Sequence, residues 1–116
     1  MSKSSIVYRK ASEAFSRMAQ PDYEVKNFLT KDDLPHISIA VGKLSSGGIH
    51  ETMSTRSDRF YYFIEADNCK LTSDKPITIE ADSVLFVPKK TKYTIIGNFK
   101  AVIINTPAFD KTKEIK

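Results

Sequence analysis

The sequence predicts an all-β domain, either a β-sandwich or a closed double-sheet barrel. After one helix-like segment, the chain breaks into about eight or nine short apolar or alternating runs at close spacing. Clusters of Gly, Pro, Asn, Asp and Ser separate these runs. No helical stretch lies between successive runs, so the βαβ alternation that builds a parallel sheet is absent.

The elements follow in order. From Ala11 to Ala19 good helix formers are dense, with Phe15 and Met18 three apart on one side, and this predicts a short N-terminal α-helix. Gln20-Pro21-Asp22 stops it, because proline disfavours helix in the residue before it. Tyr23 to Leu29 is the first strand. After Pro35, Ile37, Ile39 and Val41 alternate with Ser38, Ala40 and Gly42 in a strand running to Leu44. Ser45-Ser46-Gly47-Gly48 reads as a flexible turn. Arg59 to Ile64 is an aromatic strand, and a tight Glu65-Ala66-Asp67 turn leads to another at Asn68 to Thr72. Ile77 to Ile79, Ser83 to Val87, Tyr93 to Ile96 and Lys100 to Asn105 complete the set, with Gly97-Asn98 as a hairpin turn.

At 116 residues the chain is one domain. Within it we expect an N-terminal segment (1–34), a barrel (35–110) and a mobile Lys-rich tail (111–116). Hydrophobic residues make up 41% and charged residues 28%, as in ordinary globular proteins. No apolar run approaches a membrane span, and the first residues lack the apolar core of a secretory signal. A lone cysteine, Cys69, excludes an internal disulfide and fits a reducing cytoplasm. The net charge of +4 is partly local, in Lys89, Lys90 and Lys92 and in Lys111, Lys113 and Lys116. No basic stripe with interleaved aromatics appears, so no nucleic-acid partner is expected.

Two stretches carry a resemblance. Gly47-Gly48 followed by Arg59-Phe60-Tyr61-Tyr62-Phe63-Ile64-Glu65 resembles the first cupin motif. Ala81-Asp82, then Phe86-Val87-Pro88 and Thr91-Lys92-Tyr93, resembles the second. Ile103-Ile104-Asn105-Thr106-Pro107-Ala108-Phe109 is similar to the end of small cupin domains, so the likeness runs over residues 37–109. It implies a double-stranded β-helix, or jelly-roll barrel, with a site at its centre. In this alignment Arg59 falls where cupins carry a metal-binding Glu, Thr52 and Ser54 near the paired His positions, and Tyr93 at the third His position. Two turn glycines become Ala66 and Ala81, so those turns are expected to avoid positive φ.

Metal ions need converging imidazole, thiolate or carboxylate ligands, and the fixed charge of Arg59 repels a cation. No metal or other cofactor is therefore expected at this position. A relocated metal site would have to draw on His50, His36 or Glu51.

Strand alternation puts Arg59, Tyr61 and Phe63 on one face and Phe60, Tyr62 and Ile64 on the other. With both faces apolar, the outer one should be covered, by the N-terminal helix or by a second copy. A homodimer is the expectation. A guanidinium inside a barrel requires an anionic partner: a ligand carboxylate or phosphate, or an internal partner among Asp58, Glu51 and Glu80. The ligand-binding candidates are Arg59, Tyr61, Tyr93, Thr52, Ser54 and His50. Of these, His50 and Tyr93 are also candidates for acid–base chemistry. Three functions remain open. The first is a metal-free binding module for a small polar or anionic molecule, of carbohydrate or carboxylate type. The second is a metal-independent isomerase, epimerase or lyase, and the third is a dimerisation scaffold without a ligand.

Overall fold

The computed structural model describes residues 6–115. Among these, eight strands form one antiparallel sheet system that folds on itself: β1 (Phe15–Gln20), β2 (Tyr23–Leu29), β3 (Ser38–Ser54), β4 (Asp58–Thr72), β5 (Pro76–Ile79), β6 (Ser83–Val87), β7 (Tyr93–Thr106) and β8 (Glu114–Ile115). The order is β1-β2-β3-β7-β4-β5, with β6 also on β4 and β8 on β3.

Three long strands, β3, β4 and β7, make the frame, and each is bent. β4 pairs with β7 along most of its length, and its other edge takes β6 in its first half and β5 in its second. The bends are bulges, where an unpaired residue raises the local twist and turns a strand from one layer into the other. They lie between Leu44 and Gly48 in β3, and between Phe63 and Glu65 and between Asp67 and Lys70 in β4. Breaks expected at Ser45–Gly48, Glu65–Asp67 and Gly97-Asn98 are therefore bends inside continuous strands. No hairpin forms at Gly97-Asn98, because both flanks stay paired to β4. Gly97 has φ 128°, and a Cβ there would lie 2.0 Å from the carbonyl oxygen of Asn68. The two bends cross so closely that only glycine fits.

Ala66 and Ala81 keep to negative φ, but the left-handed conformation has moved to their neighbours. Asn68 has φ 48° and Asp82 φ 60°. These are residue types that tolerate that region.

The predicted helix at Ala11–Ala19 is not formed. A single 3-10 turn at Ala11–Glu13 leads into β1, which pairs with β2 from Phe15↔Asn27 to Gln20↔Tyr23. A nine-residue helix is marginal alone, whereas β2 offers a ready edge of hydrogen-bonding groups. The lysine-rich segment after Asp110 carries local structure. Asp110 accepts hydrogen bonds from the Thr112 backbone N–H (3.0 Å) and hydroxyl (2.7 Å), closing a 3-10 turn at Lys111–Lys113. Beyond it, β8 adds to β3 at Met53 and Ser54.

The core lies between the layers. Tyr61, Phe63, Leu44 and Ile95 are its largest fully buried side chains. Phe99 meets Tyr61 and Phe63 edge-on, with ring centroids 6.3 and 5.4 Å apart. Burying each such side chain contributes roughly 1.5–3 kcal/mol. At one end of the interior this apolar packing gives way to polar side chains.

Candidate functional site

The polar end is built from the inward positions of three neighbouring strands. Period-two alternation brings Thr52 and Ser54 from β3, Arg59 and Tyr61 from β4, and Tyr93 and Asn105 from β7 into the interior, all buried. Arg59 is at their centre. Its Nε donates to Asn105 Oδ1 at 2.6 Å and its Nη1 to the Tyr93 hydroxyl at 3.0 Å. Nη2 donates to Glu114 Oε2 at 2.8 Å. The other carboxylate oxygen of Glu114 accepts from the Thr52 hydroxyl at 3.0 Å. The Tyr61 and Tyr93 hydroxyls share a hydrogen bond of 2.5 Å. Phe109 lies over the guanidinium at 5.9 Å and over that of Arg17 at 5.1 Å. The backbone delivers it there through a Ser57 Oγ bond to the Pro107 carbonyl and a Phe109 N–H bond to Ser38 Oγ.

The electrostatics follow from this geometry. Burial works against the Arg59 charge, but the oxygens of Tyr93 and Tyr61 and the Glu114 carboxylate outweigh it and raise its pKa. Burial, reinforced by Tyr93, holds the Tyr61 phenol well above its ordinary value, and burial does the same to Tyr23. At neutral pH these phenols are protonated. In the cluster, Arg59 and Glu114 form an ion pair, and Tyr61 acts as a neutral hydrogen-bonding group.

The remaining sequence candidates are placed differently. Ser54 Oγ accepts from the N–H of Ser57 (2.9 Å) and of Arg56 (3.4 Å), so it closes the turn between β3 and β4. The His50 ring lies tilted against that of Tyr23, with centroids 4.4 Å apart, and its Nδ1 contacts Gln20 Oε1 at 3.0 Å. The Arg59 partners expected from sequence lie elsewhere. Asp58 accepts from the Lys89 N–H, and Glu51 pairs with Lys92 at 3.7 Å. The Glu80 carbonyl accepts from Ser83. Tyr93 also lines an open depression of about 590 Å³, whose other walls include Glu51, Asp74, Lys90 and Lys92.

No protein-family model and no curated protein matches the sequence. Solved structures do match. A Streptomyces Pac13 variant with uridine is 17% identical, with a TM-score of 0.82 over 97% of this chain and 90% of that one. Pac13 is described as a nucleoside dehydratase. KdgF from Halomonas sp. is 12% identical, with a TM-score of 0.78 over 93% of this chain and 99% of that one. Bacillus subtilis oxalate decarboxylase is 12% identical, with a TM-score of 0.80, and 98% of this chain matches 33% of it. This is a cupin-fold protein.

A cupin barrel raises the question of a metal. The donors at its centre here are a guanidinium, two phenols, a hydroxyl, an amide and one carboxylate already bound to the guanidinium. That set does not fit a divalent transition metal. Among the described residues, no group of three or more His, Cys, Asp or Glu side chains is arranged to hold one, whether around His36, His50 and Glu51 or elsewhere.

Two members of this site went unread in the sequence. Asn105 was legible in principle. The inward series Tyr93, Ile95, Gly97, Phe99, Ala101, Ile103, Asn105 keeps strict alternation, and Asn105 is its last buried polar member. Glu114 carried no signal, being one acid in a lysine-rich stretch far along the chain from Arg59.

Proposed function

We propose that this cupin-fold protein binds a small polar or anionic molecule, of carboxylate or carbohydrate type, at the Arg59 end of its barrel. The observation that carries this reading is the grip on Glu114. A carboxylate is held with one oxygen on a buried guanidinium and the other on a buried hydroxyl, which is how a ligand carboxylate would be received. The scaffold alternative accounts poorly for this cluster, since packing alone is served as well by apolar residues as by a desolvated ion pair.

The test is a thermal-shift screen of small carboxylates, sugar acids, sugar phosphates and nucleosides. A ligand at a hundred times its Kd should add about 2.7 kcal/mol to stability. We expect a saturable rise in Tm with at least one carboxylate or sugar acid, absent in Arg59→Met. If no compound in the panel raises the Tm, the reading fails.

A second reading, as a metal-independent lyase, isomerase or epimerase, has one specific observation in its favour. The Tyr61–Tyr93 pair, hydrogen-bonded to each other and to Arg59, could pass a proton to or from a substrate. Pac13 variants solved with uridine replace a histidine or one of two tyrosines, in that order along the chain. This cupin has His50, Tyr61 and Tyr93 in the same order. Turnover of a nucleoside or sugar acid, lost in Tyr93→Phe with ligand binding retained, would select this reading.

The outer face suggests a second copy as partner. Phe86, Phe60, Ile104 and Ile39 stand in register across four strands, and Val84, Tyr62, Val102 and Val41 form the next row. Phe60, Tyr62, Ile64, Val84 and Phe86 are each 36–70% exposed. The exposed part of these rows suits an isologous homodimer. Cys69 is buried, and burial pushes its thiol up to about 11, so a reducing cytoplasmic setting is compatible with its unpaired state. Among the described residues, no helix is long and apolar enough to cross a membrane.

A further inference from the structure

We infer that segment 110–115 is an internal occupant of the barrel: Glu114 stands where the ligand's carboxylate binds, so that segment and ligand exclude one another. This rests on the reading of the barrel as a carboxylate or carbohydrate site, and it adds a regulatory element to that site.

The first argument is the contrast between the Glu114 carboxylate and the segment that carries it. The carboxylate is held at both oxygens, by Arg59 and by Thr52, and its side chain is only 15% exposed. The segment behind it is lightly attached. Its 3-10 turn buries no side chain, and β8 is two residues long. Apart from that pairing, its ties to the body include Thr55, whose N–H and hydroxyl both donate to the Lys113 carbonyl at 2.8 Å. A pair between exposed Lys31 and half-buried Asp110 at 3.5 Å adds another. Such a segment opens at far lower cost than the sheet beneath it.

The second argument concerns the state left when the segment lifts. Arg59 is buried on rigid β4 and oriented by Asn105 and Tyr93, both on β7. Without Glu114, a charge fixed in a largely dry interior lacks its anion, which is a costly state. A ligand carboxylate restores what Glu114 supplied, so the exchange is close to balanced where simple opening is not. Competition lowers the apparent affinity by the fraction of open molecules. Removing Glu114 should therefore tighten binding even though it adds no contact.

The experiment measures calorimetric affinities for acetate, malonate and glucuronate with the full chain, with Glu114→Gln, and with a chain truncated after Phe109. Circular dichroism confirms that each variant is folded. In parallel, hydrogen exchange of the Thr55 amide, which is bonded to Lys113, is followed in the full chain with and without the tightest of the three compounds. We expect at least tenfold tighter binding by both variants, and faster Thr55 exchange in the full chain at saturation. Equal affinity in all three chains overturns the inference and leaves the barrel reading intact. Tighter binding without release of Thr55 also overturns it, because probe and segment are then bound together. No binding of any compound by any of the folded chains overturns the barrel reading itself.

Discussion

Arg59 draws its partners from two strands, taking Asn105 and Tyr93 from β7 and Glu114 from β8. Breaking such a pair from one side leaves the other charge uncompensated. Arg59→Met should therefore destabilise the protein by about 3 kcal/mol in urea titration. The double variant Arg59→Met with Glu114→Gln should recover part of that loss, as coupled neighbours do. A cost under about 1 kcal/mol for the single change would mean the pair is effectively solvated. At this scale the sequence was partly readable. Arg59, Thr52 and Tyr93 drew attention through the resemblance to the cupin motifs, and Tyr61 followed from strand alternation. The identity of its anion was not readable, because that depends on a contact spanning 55 residues.

Continuous strands with internal bends replace the separate short strands that turn chemistry suggested. A Ser-Ser-Gly-Gly or Gly-Asn run signals a departure from regular strand, but the same residues serve a hairpin and a bulge. Only the partner strand decides between them. At Gly97 the partner is the Asn68 bend, and Gly97→Ala should cost about 3 kcal/mol or more. A fall in Tm of under about 4 °C would show that the crossing relaxes easily. The docked segment has its own signature. Hydrogen bonds from Thr112 pull the Asp110 carboxyl down to about 2 from the 3.8 of an unperturbed group. A depressed folded pKa contributes stability above pH 3.8 that is lost as pH falls towards 2. Thr55 amide protection should fall across that window by more in the wild-type chain than in Asp110→Asn, which lacks the Asp110 contribution but keeps the Glu114 anchor. The absent helix belongs to this scale as well. The composition of Ala11–Ala19 favours helix, but the backbone pairing offered by β2 prevails over propensity in so short a segment.

At the scale of the whole molecule, the proposed dimer surface is the outer face of β6, β4 and β7. Phe60, Tyr62, Ile64, Val84 and Phe86 form an exposed apolar cluster of a kind uncommon on a monomer. Light scattering should give twice the 13.1 kDa chain mass at micromolar concentration, and Phe86→Lys should return the monomer with Tm otherwise little changed. A wild-type monomer at those concentrations would remove the dimer proposal. What the sequence determined by itself was the layered β architecture and the inward face of the aromatic strand, Arg59, Tyr61 and Phe63, because period-two alternation and turn chemistry are local properties. The tertiary structure alone decided that the bends are bulges, that residues 15–20 add a strand, and that Glu114 completes Arg59. Each of these depends on which distant segment supplies the opposing hydrogen bonds or charge, and local sequence does not encode that.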